Sequence, residues 1–229
     1  APWFGRYGHS LDAIDVDGDG VLDVMILTGG YSPVQSNDVW LSRDGTNWYF
    51  DGFATFPPRA YHATAVFQRK LWILGGTPLT NDIWAGTPTM DSTKKAGYSM
   101  KWKQMNKETP WFPRMGSCAV TQMRPALFAN DSMDNVESND KNEVIEYLYI
   151  MGGFGGHPRD DKRYNGERAR NDVWVTSNGM DWKRVLPPKP LNTMPWIGRS
   201  FHSCITWHDS NNATLRAGKQ RKDSKIHSP

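Results

Sequence analysis

The chain is built on an internal repeat. An arginine behind an aromatic-proline lead-in occurs four times, as PWFGR ending at Arg6, FPPR at Arg59, PWFPR at Arg114 and PWIGR at Arg199. An apolar run closing on a diglycine follows three of them, in VMILTGG, LWILGG and LYIMGG, and places Gly29-Gly30, Gly75-Gly76 and Gly152-Gly153. NDVW, NDIW and NDVW come next, ending at Trp40, Trp84 and Trp174, and a further tryptophan follows each as Trp48, Trp102 and Trp182. Taken singly, a diglycine is a common turn and a tryptophan is usually core. Four signals in one order, three times over, make coincidence untenable.

The copy from Arg59 to Trp102 is the cleanest. Its runs Ala60–Phe67, Lys70–Leu74 and Asn81–Trp84 mix β-branched and aromatic residues, are separated by turn residues, and are followed after an insertion by Lys101–Met105. Four short antiparallel strands make a sheet with two exposed faces, which must stack on similar sheets to be stable. The diglycines suit a buried strand end where backbones approach closely. The tryptophans of the third and fourth strands supply large apolar area between sheets.

This order of motifs resembles the kelch repeat, whose period is about 50 residues, in the LWVIGG…NDVW…DGxxW form of many kelch proteins thought to be extracellular. The resemblance implies an all-β fold, a partial kelch-type β-propeller with three four-stranded antiparallel blades over about 6–51, 59–105 and 114–185, plus the first strand of a fourth at 199–207. After Trp207 no diglycine and no NDVW follow. Propellers close with roughly four to eight blades, so the remaining blades are expected from a longer chain, or else from another copy. The chain opens inside a lead-in, which suggests a processed or trimmed N-terminus.

At 229 residues and 38% hydrophobic, the sequence can bury a sizeable core. No apolar run is long enough for a membrane span, and no signal segment opens it. The net charge of +3 is set by residues 215–229, where Arg216, Lys219, Arg221, Lys222 and Lys225 face only Asp223, a balance of +4 that leaves −1 on the rest and a basic tail over 208–229. A basic, solvated tail on a near-neutral body argues against nucleic-acid binding.

The sharpest chemical signal is Asp15-Val-Asp17-Gly-Asp19-Gly-Val21-Leu-Asp23 between the first two strands. Carboxylates at loop positions 1, 3, 5 and 9, with glycine at 6 and the Val21 carbonyl at 7, match the oxygen spacing of a calcium loop. Position 12 holds Ile26 where an EF-hand has its bidentate glutamate. The loop resembles instead the DxDGDGxxD hairpin of FG-GAP repeats in integrin-like propellers. Calcium is therefore the expected cofactor, with Asp15, Asp17, Asp19, Asp23 and Val21 as ligands, and no organic cofactor is expected. The alternative is a solvated Asp-Gly turn.

Asp44-Gly45 and Asn178-Gly179 resemble the Asp-box of sialidases, one residue short, and read as tight turns. Histidine follows the repeat arginine by three residues at His9, His62 and His202, with Ser117 in the third copy. A metal-binding histidine ring is one reading. Another is a galactose-oxidase-like copper radical enzyme using Tyr61-His62, for which the second Tyr, second His and Cys–Tyr crosslink are not identifiable. Cys118 and Cys204 lie four and five residues after their arginines, one step out of phase, and read as buried thiols that do not pair. The calcium loop and the sequons at Asn130 and Asn212 point to an extracellular or secretory setting.

In such sheets the one-to-two and three-to-four connections emerge at one end, and the two-to-three and sheet-to-sheet connections at the other. The calcium loop and an acidic insertion over 124–143 share the first end. The second end carries the lead-ins, Tyr31 and the insertion FGGHPRDDKRYNGERAR, whose His157, Arg159, Lys162, Arg163, Tyr164, Arg168 and Arg170 are candidate partner contacts. In kelch proteins this end commonly grips the partner. The expected function is a non-catalytic binding or scaffolding module for a protein or glycan. A carbohydrate-active copper oxidase and an FG-GAP-type adhesion module are the alternatives.

Overall fold

The computed structural model describes residues 1–125, 144–155, 169–185, 194 and 196–206, all of them strand, turn or irregular backbone. Three antiparallel four-stranded sheets follow one another along the chain, each with strands in sequence order and none closed into a barrel. The first comprises β1 (Ser10–Ile14), β2 (Val24–Thr28), β3 (Asp38–Ser42) and β4 (Tyr49–Phe53). The second comprises β5 (Ala63–Phe67), β6 (Lys70–Leu74), β7 (Ile83–Met90) and β8 (Tyr98–Asn106). A two-residue strand β9 (Arg114–Met115) then pairs with β12 (Phe154–Gly155), and the third sheet is β10 (Cys118–Pro125), β11 (Val144–Met151), β13 (Val173–Thr176) and β14 (Lys183–Val185).

The sheets stack face to face. Strand β5 packs against both β1 and β10. Side chains alternate between faces along a strand, and β6 divides accordingly. Leu71 and Ile73 enter a core with Ile14, Val24, Ile26 and Leu41 of the first sheet. Trp72 and Leu74 enter a second core with Leu148, Ile150 and Trp182 of the third. A strand buried on both faces reads as a nearly continuous apolar run, and KLWILGG is that run.

Lead-in aromatics also wedge between the sheets. Phe56 and Trp111 are buried to within 2% of full exclusion from solvent. Phe56 stands edge-on to Trp102, with centroids 4.9 Å apart, and Trp111 edge-on to Trp182 at 4.4 Å. Trp84 and Trp174 pack beside the same cores while remaining partly exposed. In the first sheet Trp3 takes the lead-in place, 5.5 Å from Trp40 and 5.1 Å from Trp48. The tryptophans of the third and fourth strands thus act with the residue three before each repeat arginine.

That arginine and NDVW form one device. Arg6, Arg59 and Arg114 each grip the aspartate of their own sheet, Asp38, Asp82 and Asp172, through both Nη atoms at 2.6–2.9 Å. Nη1 also donates to the first diglycine carbonyl, at Gly29, Gly75 and Gly152. The indole Nε1 of Trp40, Trp84 and Trp174 donates to the same carboxylate. The asparagine of the motif holds the next lead-in, Asn37 donating to the Ala54 and Phe56 carbonyls and Asn81 to those of Thr109 and Trp111. Arg199 pairs through its backbone with Arg170.

The diglycine is where one sheet meets the next. Gly30, Gly76 and Gly153 donate their N–H to the carbonyls of Arg59, Arg114 and Arg199 at 2.8–2.9 Å. Gly75 has φ +63°, and a Cβ there would lie 2.6 Å from the Arg114 carbonyl oxygen, so both the turn and the approach exclude a side chain.

Two expectations need correction. Cys118 and Cys204 form a disulfide, with Cα atoms 5.9 Å apart. Opposite phase in two repeats had argued against pairing. In face-to-face stacking, however, the front of one repeat meets the back of the next, so opposite phase is what a bridge between neighbours requires. The third strand of the second sheet also runs past Trp84 to Met90 and pairs with Tyr98–Asn106 across the stretch read as an insertion. Pro88 is tolerated because β6 pairs with β7 only as far as Gly86, so no ladder bond toward β6 is lost.

Candidate functional site

The repeat creates a special position two residues after each arginine. Gly8, Tyr61, Gly116 and Phe201 all have positive φ, at 67°, 55°, 60° and 55°. Their backbones form a relay from sheet to sheet, in which Tyr61 N–H donates to Gly8 O at 2.7 Å, Gly116 to Tyr61 at 2.8 Å, and Phe201 to Gly116 at 2.7 Å. Left-handed backbone is free for glycine and costs about 1–2 kcal/mol for other residues. The aromatic residues bear that strain while lying on their glycine neighbours, since a Cβ on Gly8 would come 3.0 Å from the Tyr61 ring and one on Gly116 2.8 Å from Phe201.

The rings form an exposed cluster. Tyr61 lies 5.9 Å from Tyr7 and 5.2 Å from Phe201, and Tyr7 lies 5.3 Å from Tyr31. Tyr7 is 54%, Tyr31 37% and Phe201 59% exposed. Partial desolvation and the neighbouring tyrosines Tyr61 and Tyr31 raise the Tyr7 hydroxyl above its usual range. Tyr31 is fixed by two backbone bonds with Tyr7, at 3.3 and 2.9 Å. Its neighbours Gly30 and Ser32 line a cavity of about 280 Å³ with Phe4, Gln35, Asn37 and Phe53.

Of the residues expected to contact a partner, Tyr31 therefore belongs to a cluster. Arg170 places its guanidinium carbon 4.7 Å from the Phe112 ring centroid and donates its backbone N–H to Gly153 O. His157, Arg159, Lys162, Arg163, Tyr164 and Arg168 lie outside the described residues, as do Asn130, Asn212 and the acidic insertion beyond Pro125. From the sequence Tyr61 enters only as part of a copper pair, and Tyr7 and Phe201 are not singled out. The signal for Tyr61 and Phe201 was the alternation Gly, Tyr, Gly, Phe at one repeat position, which shows only once the repeats are aligned on the arginine.

The repeat histidines do not converge. His62 is buried against Gly29 of the preceding sheet, with Nε2 3.3 Å from Ser10 Oγ, and burial with the Arg59 charge lowers its pKa to about 3. His202 sits against Gly152 in the same way. His9 is exposed. Tyr61 and His62, the pair weighed for copper, are engaged in different surroundings.

At the opposite end, Asp15, Asp17 and Asp19 bring carboxylate oxygens within 4.8 Å of one another. Among the described residues no other group of three or more His, Cys, Asp or Glu does so. The loop is shaped by its own carboxylates. Asp15 accepts from the Gly18 and Gly20 N–H at 2.6 and 2.8 Å, Asp17 from Asp19, and Asp19 from Val21. These bonds, led by that from Gly20, together with the nearby Arg69 charge hold Asp15 below the usual carboxylate range. Asp23 turns away to accept from Val16 N–H at 2.8 Å. Arg69, on the β5–β6 turn, donates to the Asp17 carbonyl at 3.1 Å. The cluster is thus partly balanced from the next sheet. Each carboxylate oxygen still has a second lone pair, so the oxygens fit a hard cation.

No protein-family description and no curated protein matches the chain. Among solved structures it is similar to the structure of YjhT, at 15% identity and a TM-score of 0.49, over 88% of this chain and 59% of that one. The chain therefore spans about three fifths of that structure's length.

Proposed function

We propose that the chain is a non-catalytic binding module, part of a kelch-type β-propeller, that takes hold of a protein or glycan through the end carrying the lead-ins. One observation carries this reading: four aromatic rings touch one another on that surface, and two of them are kept in left-handed backbone where glycine would be strain-free. Strain of this kind concentrates at functional sites. The calcium loop at the other end is a rigidifying site, with Asp15, Asp17 and Asp19 as ligands. The Cys118–Cys204 disulfide favours an extracellular or secretory setting, where calcium is abundant.

The test is a peptide-display and glycan-array selection with the intact chain, repeated with Tyr7→Ala and Tyr31→Ala. Capture that depends on both tyrosines supports the reading, and capture indifferent to both refutes it. Loading the chain with Cu²⁺ and assaying alcohol oxidation addresses the enzyme alternative. Turnover lost in Tyr61→Phe would overturn the non-catalytic assignment.

A further inference from the structure

We infer that the ligand of this end is an uncharged saccharide, one sugar ring lying on Tyr7 and Tyr31 and its hydroxyls met in the adjoining cavity. The inference rests on the binding-module reading and names its ligand class.

The size of the aromatic surface favours a small ligand over a protein. A Tyr or Phe side chain offers about 150–250 Å². With Tyr7, Tyr31 and Phe201 between 37% and 59% exposed, the rings together present a few hundred Å² at most. A stable protein interface takes about 800 Å² from each side. The aromatic surface is therefore suited to a small ligand. The cavity beside Tyr31, about 280 Å³, lies just under the range of drug-sized sites and suits a single ring of a longer chain.

Charge decides between small ligands. The cavity wall has one cation and one anion, Arg6 and Asp38, and they are bound to each other through two bonds at 2.6 and 2.7 Å. The pair is neutral overall, so an anionic or cationic ligand would meet no net counter-charge in this wall. The remaining polar groups, Ser32, Gln35, Ser36 and Asn37, are neutral. Ser36 is tied to Asp38 and the Asn37 N–H donors to the Ala54 and Phe56 carbonyls, so the Ser32 hydroxyl and the Gln35 amide supply both donors and acceptors and Asn37 adds its Oδ1 as an acceptor. A polyhydroxylated ring needs that combination. Its hydroxyls require partners of both kinds, and its apolar C–H face requires an aromatic surface. Tyr7 and Tyr31, partly exposed and with ring planes 31° apart, offer aromatic surface for that face, and their phenol groups add hydrogen-bonding capacity.

The inference is tested by adding maltotriose, cellotriose and mannotriose, all uncharged, to the isotope-labelled intact chain and following the tyrosine ring resonances. Trigalacturonate serves as a charged comparison, and a peptide pool taken from the display selection as a protein-like one. The expected result is that at least one neutral trisaccharide shifts Tyr7 and Tyr31. Its affinity should fall by about tenfold or more in Tyr7→Ala and in Tyr31→Ala, as for a hot-spot aromatic, with unchanged melting temperatures. If only peptides shift those rings, the saccharide assignment is wrong and the binding module stands. If trigalacturonate binds and the neutral sugars do not, the charge argument is wrong. Saccharide binding unaffected by either substitution would place the site elsewhere and overturn the inference. If no class of probe shifts the rings, the binding-module reading fails with it.

Discussion

Arg59 holds Asp82 with two parallel bonds, Nη1 to Oδ1 at 2.8 Å and Nη2 to Oδ2 at 2.9 Å, and their side chains are only 2% and 9% exposed. A buried pair of this kind costs much desolvation but is severely missed when one half is removed. Asp82→Ala should therefore destabilise by about 3–5 kcal/mol, since it strands the guanidinium and orphans the Trp84 indole. The double change Arg59→Met with Asp82→Leu should cost clearly less. Chemical denaturation of the three proteins checks this. A double variant as unstable as Asp82→Ala would mean that the pair contributes net stability in itself.

Most of the strand order was readable because the repeat writes it three times. Pairing between the motifs was less visible. Arg6, Arg59 and Arg114 recur with Asp38, Asp82 and Asp172 at separations that differ with loop length, so nothing local in the sequence says that they touch. The disulfide was misread for a related reason. Phase along a strand tells which face a side chain takes, but not which neighbouring sheet that face meets. The aromatic cluster was hidden because its residues are exceptions to the repeat, and a reading that seeks what recurs passes over them. The acidic hairpin was legible as a loop, with Asp15, Asp17 and Asp19 adjacent as expected, whereas the turn of Asp23 to Val16 depends on backbone geometry.

Asp12, on β1, gives a pH signature. Burial raises its carboxyl to about 6, against hydrogen bonds from Thr64 and Ser10 that lower it, and Oδ2 has no hydrogen-bond partner. The folded state thus binds this proton more tightly than the unfolded chain. Its contribution to stability is present below the ordinary value of 3.8 and is lost as pH rises toward about 6. Asp12→Asn should flatten stability across that window and raise it at neutral pH by up to about 3 kcal/mol, from a shift of roughly two units. Denaturation midpoints at about pH 4 and about pH 7 decide, and an Asn variant weaker than the parent at neutral pH would contradict the account.

The acidic loop of Asp15, Asp17 and Asp19 should respond to calcium as a weak site, with a dissociation constant of about 10⁻⁴–10⁻³ M, because no bidentate glutamate completes it. At ten times that concentration calcium should stabilise the fold by about 1.4 kcal/mol, and chelator should reverse the gain. Asp17→Ala with Asp19→Ala should abolish the response. Arg69→Ala should strengthen it, by removing the guanidinium that now balances the loop. Equal melting temperatures in millimolar calcium and in chelator would reduce the loop to a turn.

The central claim is that the left-handed aromatics are kept for recognition and not for packing, and the melting temperature of Phe201→Gly tests it most directly. Phe201 is 59% exposed at φ 55°, so glycine gives up little buried area while relieving about 1–2 kcal/mol of backbone strain. That relief offsets the ~0.5–1 kcal/mol entropic cost of a glycine. The account predicts a melting temperature equal to or above that of the parent, with weakened ligand capture. A melting temperature lower by several degrees with capture intact would show that the ring serves the fold, and would contradict it.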